Sequence, residues 1–152
     1  MKGQSAVRSP SAITRTLRGQ SAVEYASILA IILIAMIPIV YVALSSIEDS
    51  TRSSQAQAAI VALTDASDLV LAQGPGSSTI VDVYMPRAVN PIKTNLTGKE
   101  IRINVFMTNG AEHDFFALTK GNLTGALPTT PGRHRLRVEM LYSGVVSLSE
   151  PT

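Results

Sequence analysis

Three groups of residues have types and spacings that could do chemistry: Glu24 against a long apolar run, Glu112-His113-Asp114, and Arg133-His134-Arg135 with Arg137. The acidic triplet makes a poor metal site, because successive residues of a strand point to opposite faces. No second histidine cluster stands at ligand spacing. With two histidines and no cysteine, the chain has neither a thiolate metal site nor a disulfide framework. It also lacks a Gly-rich phosphate loop, a nucleophile elbow and a paired histidine-carboxylate constellation. The residues therefore point to no catalysis, no cofactor and no metal. Arg135 and Arg137 read as the solvated face of a strand, and without interleaved aromatics the basic cluster is no nucleic-acid platform.

Glu24 is the informative residue because of the apolar run behind it. From Tyr25 to Ile47 there is no charged side chain, a stretch longer than the roughly 18 to 20 residues that cross a bilayer as a helix. Its isoleucines, leucines and valines together favour insertion by roughly 5 kcal/mol. Pro38 removes one backbone bond, to the carbonyl of Ile34, which a packed membrane helix tolerates. Lys2, Arg8, Arg15 and Arg18 precede the run, and Glu48 and Asp49 come directly after it. The positive-inside rule then predicts a cytoplasmic N-terminus, with everything after about residue 48 outside.

Residues 1–19 are small, polar and basic, and read as a leader rather than as structure. A conventional secretory signal fits poorly, because the apolar core is too long and no A-x-A-like site succeeds it. The pentapeptide GQSAV occurs at 3–7 and again at 19–23, and only the second copy leads into Glu24 and the apolar run.

The segment Arg18-Gly19-Gln20-Ser21-Ala22-Val23-Glu24-Tyr25, with the apolar helix behind it, resembles the processing site of archaeal type IV-like pilins with a class III signal peptide. The resemblance covers residues 15–47, and beyond them only the general plan of a helix carrying a β-rich head. It implies that a dedicated prepilin peptidase cuts between Gly19 and Gln20 on the cytoplasmic side. It also implies that the apolar helix, with the help of assembly machinery, becomes the core of a filament of identical or related subunits. The first GQSAV would then be inert, since a cut after Gly3 puts Arg8 in the position of Glu24.

Two features of the helix suit such a life. Ala22, Ala26 and Ala30 recur every four residues, a small-residue stripe that lets helix backbones approach closely. Glu24 is costly in a dry core unless paired, and cleavage would create a partner in the new α-amino group of Gln20, largely protonated at neutral pH. The competing readings are that the alanines merely reflect a membrane helix, and that Glu24 sits in the headgroup region of a permanent anchor.

Beyond Ile47 a helical pattern continues, with Ile60, Leu63, Ser67 and Val70 near one face, until Gln73-Gly74-Pro75-Gly76 stops it. This outer half is too polar to stand alone, so its apolar stripe needs a partner. From Ser77 the texture becomes short alternating runs, 79–85, 99–107, 113–119, 135–141 and 144–149, separated by Gly, Pro and Asn. Asn109-Gly110 predicts a two-residue hairpin that pairs Ile101 with Leu118 and Ile103 with Phe116, and Ser143-Gly144 predicts a second turn. Asn95-Leu96-Thr97 and Asn122-Leu123-Thr124 are N-glycosylation sequons in loop-like stretches on the expected outer side.

The expected architecture is α+β: a leader over 1–19, a long helix over 20–73 with its membrane span at about 25–47, and a small antiparallel head of about five strands over 74–152. The expected function is a processed filament subunit on the cell surface, used in adhesion. The alternative is a single-pass anchored protein whose outer domain binds a partner.

Overall fold

The computed structural model describes the backbone from Ile13 to Pro151 and side chains from Ala22 to Pro151. The first GQSAV copy lies outside these residues. The fold is α+β: among the described residues, one helix, α1 (Ile13–Gln73), precedes seven strands. The chain divides into two compact units, residues up to Leu44 and from Ser45 onward.

In the first unit the helix begins at Ile13, not at Gln20 as expected. Nothing between Pro10 and Gly19 breaks a helix, and Arg15, Leu17 and Arg18 are good helix formers. Helical geometry also continues through Pro38.

In the second unit α1 presents the expected stripe. Ile60, Leu63, Ser67 and Val70 are all buried, joined by Ala56, Ala59 and Ala66. The hydroxyl of Ser67 escapes an unsatisfied burial by donating to the carbonyl of Leu63 at 2.7 Å. Each fully buried Ile, Leu or Val contributes roughly 1.5 to 3 kcal/mol, so this stripe ties the helix to the strands. The helix stops where Gly74 adopts φ 93° and donates to Val70 O at 3.1 Å, the left-handed ending that glycine adopts without strain. The hydroxyl of Ser77 donates to the carbonyls of Val70 and Gly74.

The strands are β1 (Ser78–Met85), β2 (Asn95–Thr97), β3 (Glu100–Phe106), β4 (Glu112–Leu118), β5 (Asn122–Gly125), β6 (Gly132–Met140) and β7 (Val145–Ser149). They form a four-stranded sheet in the order β1-β6-β7-β5 and a three-stranded sheet in the order β2-β3-β4. The expectation of five antiparallel strands is thus corrected to seven, and the larger sheet is mixed because β5 runs parallel to β7. The two unforeseen strands, β2 and β5, are edge strands of three and four residues, too short to show an alternation. They meet where the two sheets adjoin, with Leu123 N donating to Gly98 O at 2.6 Å.

The β3–β4 hairpin departs from its expected register by one residue: Ile101 faces Ala117 and Ile103 faces Phe115. A two-residue type I′ turn would need positive φ at both Asn109 and Gly110, but among these only Gly110 is positive, at 81°. The loop instead has three residues. Gly110 N donates to Met107 O at 3.0 Å, and Met107 N donates to Ala111 O at 2.8 Å. A one-residue shift exchanges the faces of a strand. Phe116 and Leu118 are therefore turned outward, 64% and 69% exposed, while Phe115 and Ala117 pack on the core. The β6–β7 connection repeats the device, with Gly144 at φ 82° donating to Leu141 O, and Leu141 N to Val145 O.

One glycine is demanded by packing as well as by conformation. Gly125 has φ 116°, and a Cβ there would lie 2.0 Å from the backbone oxygen of Leu148. Gly98 and Gly132 also have positive φ but open space around them. Denaturant unfolding should show Gly98→Ala and Gly132→Ala each losing about 1 kcal/mol, and Gly125→Ala losing clearly more, because the β5–β7 pairing must part to admit the methyl group.

Candidate functional site: the apolar helix surface

Between Ala22 and Leu44 every described side chain of α1 is exposed. Val23, Ile31, Ile34 and Ile37 each expose about two thirds of their surface. This is a helix long and apolar enough to cross a membrane, as an anchor or a signal would be. A helix that is apolar on all sides has the pattern of a membrane span or of a helix buried within a larger protein core. Within it, Ala22, Ala26 and Ala30 stand at intervals of four on a regular helix and so share one face. Glu24 is exposed near the start of the described side chains, and the nearby Ser27 Oγ donates to the carbonyl of Val23 at 2.8 Å. The side chains of Arg18, Gly19 and Gln20 lie outside the described residues; their backbone is helical.

No known protein family, curated protein or solved structure matches this chain.

In the head, Asn95 and Asn122 are the first residues of β2 and β5, in strands where loops were expected, and both are exposed. In each sequon the central leucine turns inward, Leu123 buried and Leu96 packed on the core. Glu112 and Asp114 share the outer side of β4, where Asn104 Nδ2 donates to Asp114 Oδ1 at 2.7 Å and Lys93 pairs with Glu112. His113 faces the other side. The pairing with Glu112 raises the Lys93 pKa. In the basic cluster, Asp82 accepts from Arg133 at 2.7 Å and from Arg135 at 3.4 Å, and Arg133 holds the Asp82 carboxyl below its usual range. The structure adds an aromatic neighbour that linear order conceals: Tyr84 lies opposite Arg133 across the β1–β6 pairing.

The polar residues that sequence reasoning missed are Asp49 and Arg52, which fasten α1 to the β3–β4 hairpin. Asp49 Oδ1 accepts from Thr108 N at 2.8 Å and from the Thr108 hydroxyl at 2.7 Å. Arg52 Nη1 donates to Phe106 O at 2.8 Å, and Nη2 donates to Glu48 at 2.6 Å. Arg52 Nε is buried without a partner, a state that costs on the order of 1 to 3 kcal/mol. Arg52 also lines a cavity of about 310 Å³, together with Glu48, Thr51, Gln55, Tyr84 and Arg87. A second hollow, of about 790 Å³, runs along the small-residue face Ser54, Ala58 and Ala62 below Phe115.

The Thr108 hydroxyl, then the Thr108 amide, holds the Asp49 carboxyl below its ordinary value, which is about 3.9 for aspartate. A depressed folded-state pKa contributes stability that is present above the unfolded value and lost as pH falls through the folded one. The thermal midpoint of the head should therefore decline as pH is lowered below about 4. In Asp49→Asn the midpoint at neutral pH should be lower and the acid decline shallower; an unchanged acid limb would show that the Thr108 contact carries no linkage.

Proposed function

We propose that the chain is a prepilin-like structural subunit, clipped between Gly19 and Gln20 and assembled through its N-terminal helix into a surface filament that displays the β-rich head. The observation that carries this reading is the apolar helix surface over residues 22–44, exposed on every side and interrupted by a single carboxylate, Glu24, four residues beyond Gln20. Such a surface is stable in lipid and can leave it only for another dry environment. A bundle of identical helices is one, and the stripe Ala22, Ala26 and Ala30 allows the close approach that packing without a hydrophobic drive requires.

Glu24 supplies the register. A carboxylate drawn into a dry bundle has to be paired, and the α-amino group freed at Gln20 is a cation of matching kind that exists only after clipping. Cleavage thus becomes a condition for assembly. In the precursor the N-terminus is cytoplasmic and the head is outside. Exposed Asn95 and Asn122 are the positions where glycans would be carried. The partners are other copies of the chain, the peptidase, the assembly machinery and the membrane. Adhesion is the use that the resemblance implies.

Mass spectrometry of protein sheared from the cell surface should find a mature N-terminus at Gln20 or its cyclised form. Material that retains residues 1–19 would instead support a membrane-anchored head that never polymerises. Glu24→Ala should be clipped and inserted normally yet yield few filaments, and filaments of normal length and number would remove the pairing argument.

A further inference from the structure

The cavity beside Arg52 has the chemistry of an oxyanion site. The Arg52 guanidinium is fixed at two corners, by Phe106 O and by Glu48, which leaves its buried Nε–H with nothing to donate to among the described residues. Arg87 lines the same cavity, is exposed, and forms no ion pair among the described residues. Two guanidiniums face one carboxylate, Glu48, so the site has a net positive charge. Tyr84 and Gln55 add neutral donors, while the Thr51 hydroxyl is already spent on Ile47 O at 2.9 Å. The Nε–H is sealed from solvent, so what Arg52 brings to the cavity is its charge, while the exposed Arg87 brings both charge and free donors; guanidinium forks suit tetrahedral oxyanions in particular.

Position along the helix narrows the ligand. Arg52 lies five residues beyond Ile47, where the apolar run ends, which is roughly 8 Å of helix rise. That is about the depth of the polar layer flanking a bilayer's hydrocarbon core. We propose that this cavity binds a phosphate group. If the apolar helix spans a membrane, as the proposed function requires, the group is the headgroup phosphate of a lipid in the outer leaflet while the chain is membrane-resident; otherwise it is a soluble phosphate.

The test uses the full-length chain in an uncharged, phosphate-free detergent, titrated with inorganic phosphate at constant ionic strength and monitored by calorimetry. Wild type should bind saturably. Arg87→Ala should bind roughly tenfold more weakly or worse, as expected for losing a charged donor, and Arg87→Lys should fall between the two. Arg137→Ala, on the outer face of β6, should bind as wild type does. Circular dichroism melts without phosphate identify any variant that has lost its fold. Absence of saturation in wild type, undiminished binding by folded Arg87→Ala, or equal weakening by Arg137→Ala would overturn the site. In nanodiscs of anionic phospholipid, free phosphate should no longer bind if a headgroup fills the cavity; binding as in detergent assigns the site to a soluble phosphate. None of these readouts requires clipping or polymerisation. A chain that binds phosphate yet keeps residues 1–19 would uphold the site and remove the filament reading.

Discussion

A helix surface that is apolar on every side has no stable place in water, and the described side chains of the first unit, from Ala22 to Leu44, form little else. From Ala22 to Leu44 the isoleucines, leucines and valines find no cover among the described residues. The hydrophobic effect is non-directional and scales with area, so it demands that the surface be dry without saying what dries it. Lipid and a bundle of like helices both qualify. The choice between them is polar: Glu24 tolerates the membrane boundary, but within a bundle it requires a cation.

The second unit solves the same problem internally. There α1 narrows its apolar surface to one stripe, and two sheets bury it. Apolar contact alone would leave a helix free to slide along a sheet, since the side chains of successive turns are similar. Asp49 and Arg52 remove that freedom, because Thr108 and the Phe106 carbonyl are single points reached by directional bonds. Fixing Arg52 in this way strands its Nε, and the same side chain lines a cavity on the head.

Local repetition is the part of this architecture that could be read in advance. The stripe Ile60, Leu63, Ser67 and Val70 declares itself through helical periodicity, the stop at Gly74 through its turn chemistry, and β1, β3, β4, β6 and β7 through alternation. β2 and β5 lack the length to alternate, and both are stabilised by neighbours remote in sequence. The hairpin register escaped because Asn-Gly serves both two-residue and three-residue loops, and the choice settles which phenylalanine is buried. The helix start at Ile13 escaped because basic, polar residues read as a leader can still be good helix formers. Asp49 carries no local signature, and Arg52 only its pairing with Glu48 one turn back. Their partners in the hairpin are more than 50 residues away, and an acidic and a basic residue on an exposed-looking helix are ordinary.

The position of β7 bears on how the head comes into being. It comes after the other six described strands in chain order, yet it lies inside the larger sheet, between β6 and β5. Until Ser149 is delivered, β5 has no strand to run alongside and β6 lacks one of its two neighbours. The β5–β7 pairing closes a longer loop than the β6–β7 hairpin and so forms more slowly, because loop closure precedes any reward. If the head is threaded across a membrane, it therefore emerges with unpaired strands and closes only at the end of its passage. The interval before closure is when it is most open to capture by chaperones, proteases or other nascent chains.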